Sequence, residues 1–211
     1  MPAATRAPLG ERFERALVMA HRLHAHQRRN GSGIPYISHL LAVCALVLEA
    51  GGNEDEAIAA LLHDAAEDQG GKATLEEIEC VFGQPVAEIV RGCSDHIDGE
   101  GNRRPPWRER KERYLQHLVQ APASTLIVSL ADKTHNAGAI LADYRSIGEA
   151  LWERFAGKRD GVLWYYRALV ETYEQAPALQ KDNRLPPMLE RLDKIVSELE
   201  EACGQPLLQQ L

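Results

Sequence analysis

The chain has 211 residues, a net charge of −7 and four cysteines. Such an acidic balance argues against bulk affinity for nucleic acid polymers or anionic membranes, and the length suits one domain with a substantial core. No Cys-x-x-Cys spacing occurs, so neither a disulfide framework nor a thiolate zinc site is indicated, and Cys44 and Cys80 read as small core hydrophobes.

Residues 1–8, with Pro2 and Pro8, read as a flexible N-terminus, and they lack the continuous apolar stretch of a signal peptide. The first helix carries His21, His24 and His26, read as exposed or partner-facing polar groups. Ile37, Leu40, Leu41, Cys44, Val47 and Leu48 then mark one face of a second helix. Its apolar run, Leu40 to Leu48, is far too short to span a bilayer, so a cytoplasmic protein is expected. Gly51-Gly52 stops that helix, and Asn53 with Glu56 resembles a capping box opening the next. Thr74/Glu77 and Ser146/Glu149 repeat the signature. Gly70-Gly71, Gly83 with Pro85, and Pro105-Pro106 punctuate further helices, and the loop 94–106 is the expected flexible element.

Beginning in that loop, Arg103, Arg104, Arg108, Arg110, Lys111 and Arg113 form a basic segment. It reads either as a solvated helix face paired with Glu109 and Glu112 or as an electrostatic funnel for an anionic ligand. Met188, Leu189, Leu192, Ile195, Val196 and Leu199 mark a last amphipathic helix, followed by a tail over 204–211. No alternating strand pattern and no repeat is found. The expected fold is all-α: a single-domain bundle of roughly nine or ten helices over 9–203.

Chemistry concentrates in three segments. His39 lies on the second helix, His63-Asp64 ends an apolar helical run, and Asp132 sits in a helix where only it and Lys133 carry formal charge from Ala121 to Ala142. That helix is apolar on two sides, so an unpaired carboxylate there would cost several kcal/mol; a metal ion or a salt bridge resolves the problem. Two imidazoles and two carboxylates suit one Mn²⁺, Fe²⁺, Zn²⁺ or Co²⁺ ion, and the mixture alone does not choose among them. Glu67 and Asp68 follow Asp64 by three and four residues, hence on its side of a helix; the bland reading is a polar helix end before Gly70. Asn136 shares the face of Asp132. Trp164-Tyr165-Tyr166 reads first as core, with Tyr166 a candidate for stacking a base, and His96 and His117 read as non-ligands.

The order His39, His63-Asp64, Asp132 resembles the H…HD…D pattern of the HD-domain metal-dependent phosphohydrolases. Ile34-Pro35-Tyr36-Ile37-Ser38-His39, Leu61-Leu62-His63-Asp64-Ala65-Ala66-Glu67-Asp68 and Leu130-Ala131-Asp132-Lys133-Thr134-His135-Asn136 are similar to the hydrolase domain of the RelA/SpoT alarmone enzymes, over about Phe13 to Tyr166. The resemblance implies a bundle of the HD-domain type and a stand-alone small alarmone hydrolase. It implies one metal, Mn²⁺ in the first place, on His39, His63, Asp64 and Asp132, with His135 supporting from behind. It assigns Glu67 and Asp68 to water activation and proton transfer.

The implied reaction removes pyrophosphate from the ribose 3′ position of (p)ppGpp or (p)ppApp, so the partner is a small phosphorylated nucleotide. Where the family has an Arg-Lys pair meeting base and phosphates, this chain has Arg29-Asn30 in a loop one residue longer. Lys133 stands where Arg is common, keeping the charge and losing the guanidinium fork. Alternatives are a phosphatase acting on another nucleotide such as NADPH at its 2′-phosphate, or a catalytically silent nucleotide sensor. The intact metal positions and Glu-Asp pair speak against the sensor.

Overall fold

The computed structural model describes residues 9–98 and 104–204. The expectations for residues 1–8, for Gly99 to Arg103 and for almost all of the tail lie outside them. Among the described residues the chain runs α1 (Glu11–Leu23), α2 (Ile37–Glu49), α3 (Glu54–Leu62), α4 (Ala65–Asp68), α5 (Gly71–Phe82), α6 (Gln84–Cys93), α7 (Trp107–Val119), α8 (Ala123–Ile147), α9 (Lys158–Gln175) and α10 (Leu185–Ala202). Two 3₁₀ segments, Gly148–Arg154 and Pro177–Gln180, join the last three helices. No strand occurs among the described residues; an isolated bridge between Arg28 and Pro35 closes the loop before α2. None of these helices is long and apolar enough to cross a membrane.

Two helices form the centre. In α3 every residue from Glu56 to Leu62 is buried, and its alanines, Ala57, Ala59 and Ala60, let α1, α2, α6 and α8 approach closely. α8 is buried on opposite sides over Thr125 to Asp132, as its lack of charge requires, and packs against α2, α3, α6, α9 and α10. The two metal-candidate carboxylates are thus delivered by the most deeply packed parts of the fold.

Asn53 does cap α3 reciprocally: Glu56 N–H donates to Asn53 Oδ1 at 2.9 Å and Asn53 N–H to Glu56 Oε2 at 2.8 Å. Glu56 is buried, and Arg184 at the start of α10 donates to both its oxygens at 2.7 and 3.0 Å, so the cap also fastens α10. The other two capping boxes do not form. Thr74 is inside α5 with Oγ1 donating to Gln69 O, and Ser146 is in the last turn of α8. Cys44 is buried as expected, whereas Cys80 is exposed. His21 and His26 are exposed, but His24 is buried beneath Tyr36, its ring stacked at 5.2 Å.

Candidate metal centre

α3 ends at Leu62, and His63 and Asp64 form the turn that re-enters α4. Both keep right-handed helical φ/ψ, and Asp68 N–H donates to Asp64 O, so the helical register of Asp64, Glu67 and Asp68 survives the break. α2 brings His39 and α8 brings Asp132 to the same point. His39 Nε2 lies 3.5 Å from Asp64 Oδ2 and 3.2 Å from Asp132 Oδ1. His63 Nε2 lies 3.0 Å from Asp64 Oδ2 and 3.6 Å from Asp132 Oδ1.

The tautomers follow from the hydrogen bonds. His63 Nδ1 faces Ala60 O at 2.9 Å, and a carbonyl only accepts, so Nδ1 carries the proton and a neutral ring turns a bare lone pair at Nε2 toward the carboxylates. His39 Nδ1 meets His135 Nδ1 at 2.8 Å. Burial, then the neighbouring His39 and Arg29, push His135 down to about 4, so it is neutral and can accept from His39. Both Nε2 atoms are buried without a hydrogen-bond partner. Two lone pairs aimed at two carboxylates repel unless a proton or a cation lies between them. Burial opposes a charge on His63, but Asp64 and Asp132 outweigh it and raise its proton affinity well above the usual imidazole range. The separations of 3.0–3.6 Å are those subtended by metal bonds of about 2.1 Å. The residues present therefore fit one divalent ion.

The supporting contacts hold these ligands in place. Tyr36 Oη donates to Asp64 Oδ2 at 2.7 Å. Lys133 Nζ pairs with Asp132 Oδ2 at 2.6 Å, and Asn136 Nδ2 donates to Asp132 Oδ1 at 2.5 Å. Arg29 in turn donates to Asn136 Oδ1 at 2.7 Å, which links the loop before α2 to a candidate metal ligand. Burial would raise Asp132, but Lys133 and the two histidines hold it well below the ordinary carboxylate range.

Glu67 and Asp68 flank the centre in different settings. Glu67 Oε2 accepts from Asp95 N–H at 3.1 Å, and Oε1 meets Arg104 at 3.2 Å. Burial, and next the Asp95 carboxylate, raise Glu67 to about 8, with Lys111 pulling the other way. Asp68, also raised by burial and by Asp64, accepts from Gln27 Nε2 at 2.8 Å. Gln27 Oε1 meets His24 Nδ1 at 2.6 Å, so the buried His24 steers Gln27 from inside the fold.

Beside the centre a chamber of about 160 Å³ is bounded by Asp64, Glu67, Asp68, Asp132 and the lysines 111 and 133. It adjoins a cleft of about 570 Å³ that holds Arg29, Asn30, Lys133, Asn136 and Tyr166. Every candidate substrate contact read from the sequence thus borders that cleft. Arg154 closes over the loop before α2. Its guanidinium lies over Gly31, where a Cβ would fall 2.2 Å from Nε, and Gly31 has φ +75°. Asn30 Nδ2 donates to Arg154 O at 2.8 Å and Arg154 pairs with Asp143 at 2.8 Å.

The basic segment divides in three, with Arg104 on Glu67 Oε1. Arg108 and Arg113 pair with Glu112 and Glu109 one turn away on α7, as on a solvated face. Arg110 and Lys111 are largely buried and both bind Asp95, which is held down at about 2 by Lys111 and Arg110 against its burial. Arg103 lies outside the described residues. Tyr36, Gln27, Asp95 and Arg154 were not singled out from the sequence as parts of the site, whereas Lys111 was, as a member of the basic segment. Tyr36 had a signal, its place in the Pro-Tyr-Ile-x-His motif; Gln27, Asp95 and Arg154 carry none, because only tertiary packing brings them there.

The family model described as HD domain matches residues 16–163. The chain belongs to the HD-domain family. Over 126 residues this HD domain is 36% identical to guanosine-3′,5′-bis(diphosphate) 3′-pyrophosphohydrolase MESH1 of Xenopus tropicalis, covering 59% of this chain and 66% of that protein. Over 132 residues it is 34% identical to the bifunctional (p)ppGpp synthase/hydrolase SpoT of Escherichia coli (strain K12), covering 60% of this chain and 18% of that one. The matched stretch is less than two thirds of either relative. Among solved structures it is similar to a metazoan ortholog of SpoT described as hydrolyzing ppGpp, with TM-score 0.71, 25% identity, and coverage of 91% of this chain and 97% of that one.

Proposed function

We propose that the protein is a metal-dependent hydrolase that removes pyrophosphate from the 3′ position of guanosine or adenosine alarmones, (p)ppGpp or (p)ppApp. The observation that carries this reading is the convergence of His39 Nε2, His63 Nε2, Asp64 and Asp132 beside Glu67 and Asp68, at the edge of a nucleotide-sized cleft. The names of the relatives supply the substrate class. A divalent ion, Mn²⁺ by preference because two imidazoles disfavour the harder Mg²⁺, supplies Lewis acidity to the phosphoryl group.

The side chains do the rest. Glu67 or Asp68 as carboxylate takes a proton from water as its oxygen attacks phosphorus. The bond between phosphorus and the ribose 3′ oxygen breaks, that oxygen gains a proton, and a nucleoside 5′-diphosphate or 5′-triphosphate and pyrophosphate leave. Arg29 and Asn136 orient the nucleotide, Tyr166 packs along the cleft, and Lys133 offsets phosphate charge.

The test compares kcat/KM on ppGpp, ppApp and NADPH with Mn²⁺ present. Turnover of a 3′-pyrophosphate nucleotide with pyrophosphate released supports the reading. Preference for NADPH, with orthophosphate released, would replace it with a 2′-phosphatase. No turnover of any of the three would leave a nucleotide sensor.

A further inference from the structure

α2 and α10 both pack on α8 without packing closely on one another, and a cavity of about 510 Å³ lies between them. Its size is that of a small-molecule site, for which about 300–1,000 Å³ is usual. The cavity is separate from the candidate metal centre. Ala131 and Thr134 of α8 line it, whereas Asp132 and His135, beside them in sequence, face the centre from another side of the helix. Leu46, Ala50 and Met188 add half-buried apolar surface, and Glu49 and Arg191 stand at its exposed rim. Nothing in the hydrolase reading uses these groups.

Three polar groups of this cavity are unmatched within the protein. Thr134 is only 4% exposed, and its hydroxyl is buried with no hydrogen-bond partner. A threonine inside a helix can donate to the carbonyl four residues earlier, as Thr172 does to Ala168 O at 2.7 Å on α9. Thr134 makes no such bond, although an unpaired buried hydroxyl is destabilising. Among the described residues, Glu49 and Arg191 have neither a hydrogen bond nor an ion pair, with each other or with any other group. The other cation of the cavity is engaged, since Arg184 binds Glu56 and Asp182. Backbone polarity runs the same way. Glu49 is the last residue of α2, and Met188 lies in the first turn of α10, an 18-residue helix with no side-chain cap at its N-terminus. A cation is favoured at the first of these ends and an anion at the second.

We infer that this cavity binds a small zwitterion with an apolar body, the chemistry of a free aliphatic amino acid. Its ammonium lies by Glu49 and the end of α2, and its carboxylate by Arg191 and the start of α10. Its hydrocarbon packs on Leu46, Ala50 and Met188, and Thr134 offers a hydroxyl from the α8 side. A plain anion would meet Glu49 as a like charge, and a plain cation would meet Arg191. The two free groups therefore select a molecule that carries both signs.

Calorimetric titration of the full chain with L-leucine, 4-methylpentanoate and 3-methylbutylamine tests this without turnover. The three share one branched hydrocarbon and differ only in their charged groups. Leucine should bind, and each single-charge analogue should bind about tenfold more weakly or worse, the scale of one lost charge-assisted hydrogen bond. Glu49→Gln and Arg191→Gln change exposed, unpaired groups, so they should leave Tm unchanged and weaken leucine by about fivefold or more. Thr134→Val removes a hydroxyl with no partner in the protein and should weaken leucine by about threefold without lowering Tm. If Thr134→Val fails to fold, the two rim variants decide. No binding of leucine at millimolar concentration, or unchanged affinity in the folded variants, overturns the site. Equal binding of all three probes would leave an apolar crevice and overturn the zwitterion. Turnover of ppGpp without leucine should be unchanged in Glu49→Gln and Arg191→Gln, so failure of the hydrolase reading and failure of this site are seen in separate measurements.

Discussion

At the residue scale, the site is governed by what burial does to charge. His63 can offer Nε2 because Ala60 O claims the proton of Nδ1, and Asp64 lies 3.0 Å away to share a cation. His63→Ala or Asp64→Ala should therefore lose bound metal, read by elemental analysis of purified protein; full metal content in both would remove the ligand assignment. Glu67 differs, since it reaches no other candidate ligand and is tuned by burial and Asp95. Glu67→Gln and Asp68→Asn should keep metal while kcat falls by roughly 10²–10⁴-fold, the range for a lost general base. The sign of the pH effect follows. Glu67 acts as a base only when ionised, and its proton is held up to about 8, so activity should climb as pH rises toward that value. A nearby divalent ion moves this limb lower. A pH–kcat profile in which Glu67→Gln retains the same limb would assign it to another group.

At the element scale, helix ends and one loop decide whether the site is assembled. The Asn53–Glu56 box starts the helix that ends in His63, and Arg184 fastens the same Glu56 to α10. Asn53→Ala should cost about 1 kcal/mol, seen as a fall of a few degrees in Tm, with metal content unchanged. α7 shows why charge runs are ambiguous: helical spacing turns Arg108 and Arg113 toward Glu112 and Glu109 and carries Arg110 and Lys111 inward to Asp95. Double replacement Arg108→Gln with Arg113→Gln should therefore leave KM within about twofold, since exposed pairs of this kind contribute little. A large, salt-sensitive rise in KM would instead mark these two as steering groups.

At the scale of the whole molecule, the ligands come from α2, the α3–α4 turn and α8, helices that touch only in the folded state. A bound ion therefore clamps three elements at once, and its binding energy adds to folding. Saturating Mn²⁺ should raise Tm, by an amount equivalent to about 2.7 kcal/mol at a hundredfold excess over Kd. A chelator should reverse the shift, and Mg²⁺ should restore it less well than Mn²⁺. A Tm indifferent to all three would mean that protons, not a metal, balance Asp64 and Asp132.

Local rules were enough for much of this. The apolar spacing of Ile37 to Leu48, the Asn53 cap and the uncharged span around Asp132 dictate helices and a buried carboxylate, because periodicity and solvation act on neighbouring residues. The resemblance of three short motifs then selected the four candidate ligands and the Glu67-Asp68 pair, which lie together in the folded chain. Other features depend on distance in space. Thr74 has capping spacing, yet Gly70 and Gly71 with positive φ start α5 earlier and leave it buried. Asp95 carries no local mark that separates it from an ordinary surface residue, and the run of charge around Lys111 does not say which of its members turn inward. Their contacts arise when α7 packs on α9 and α9 on α8, which buries unlike charges beside one another. Burial and long-range electrostatics are properties of the packed molecule, and a pattern of neighbours along the chain does not contain them.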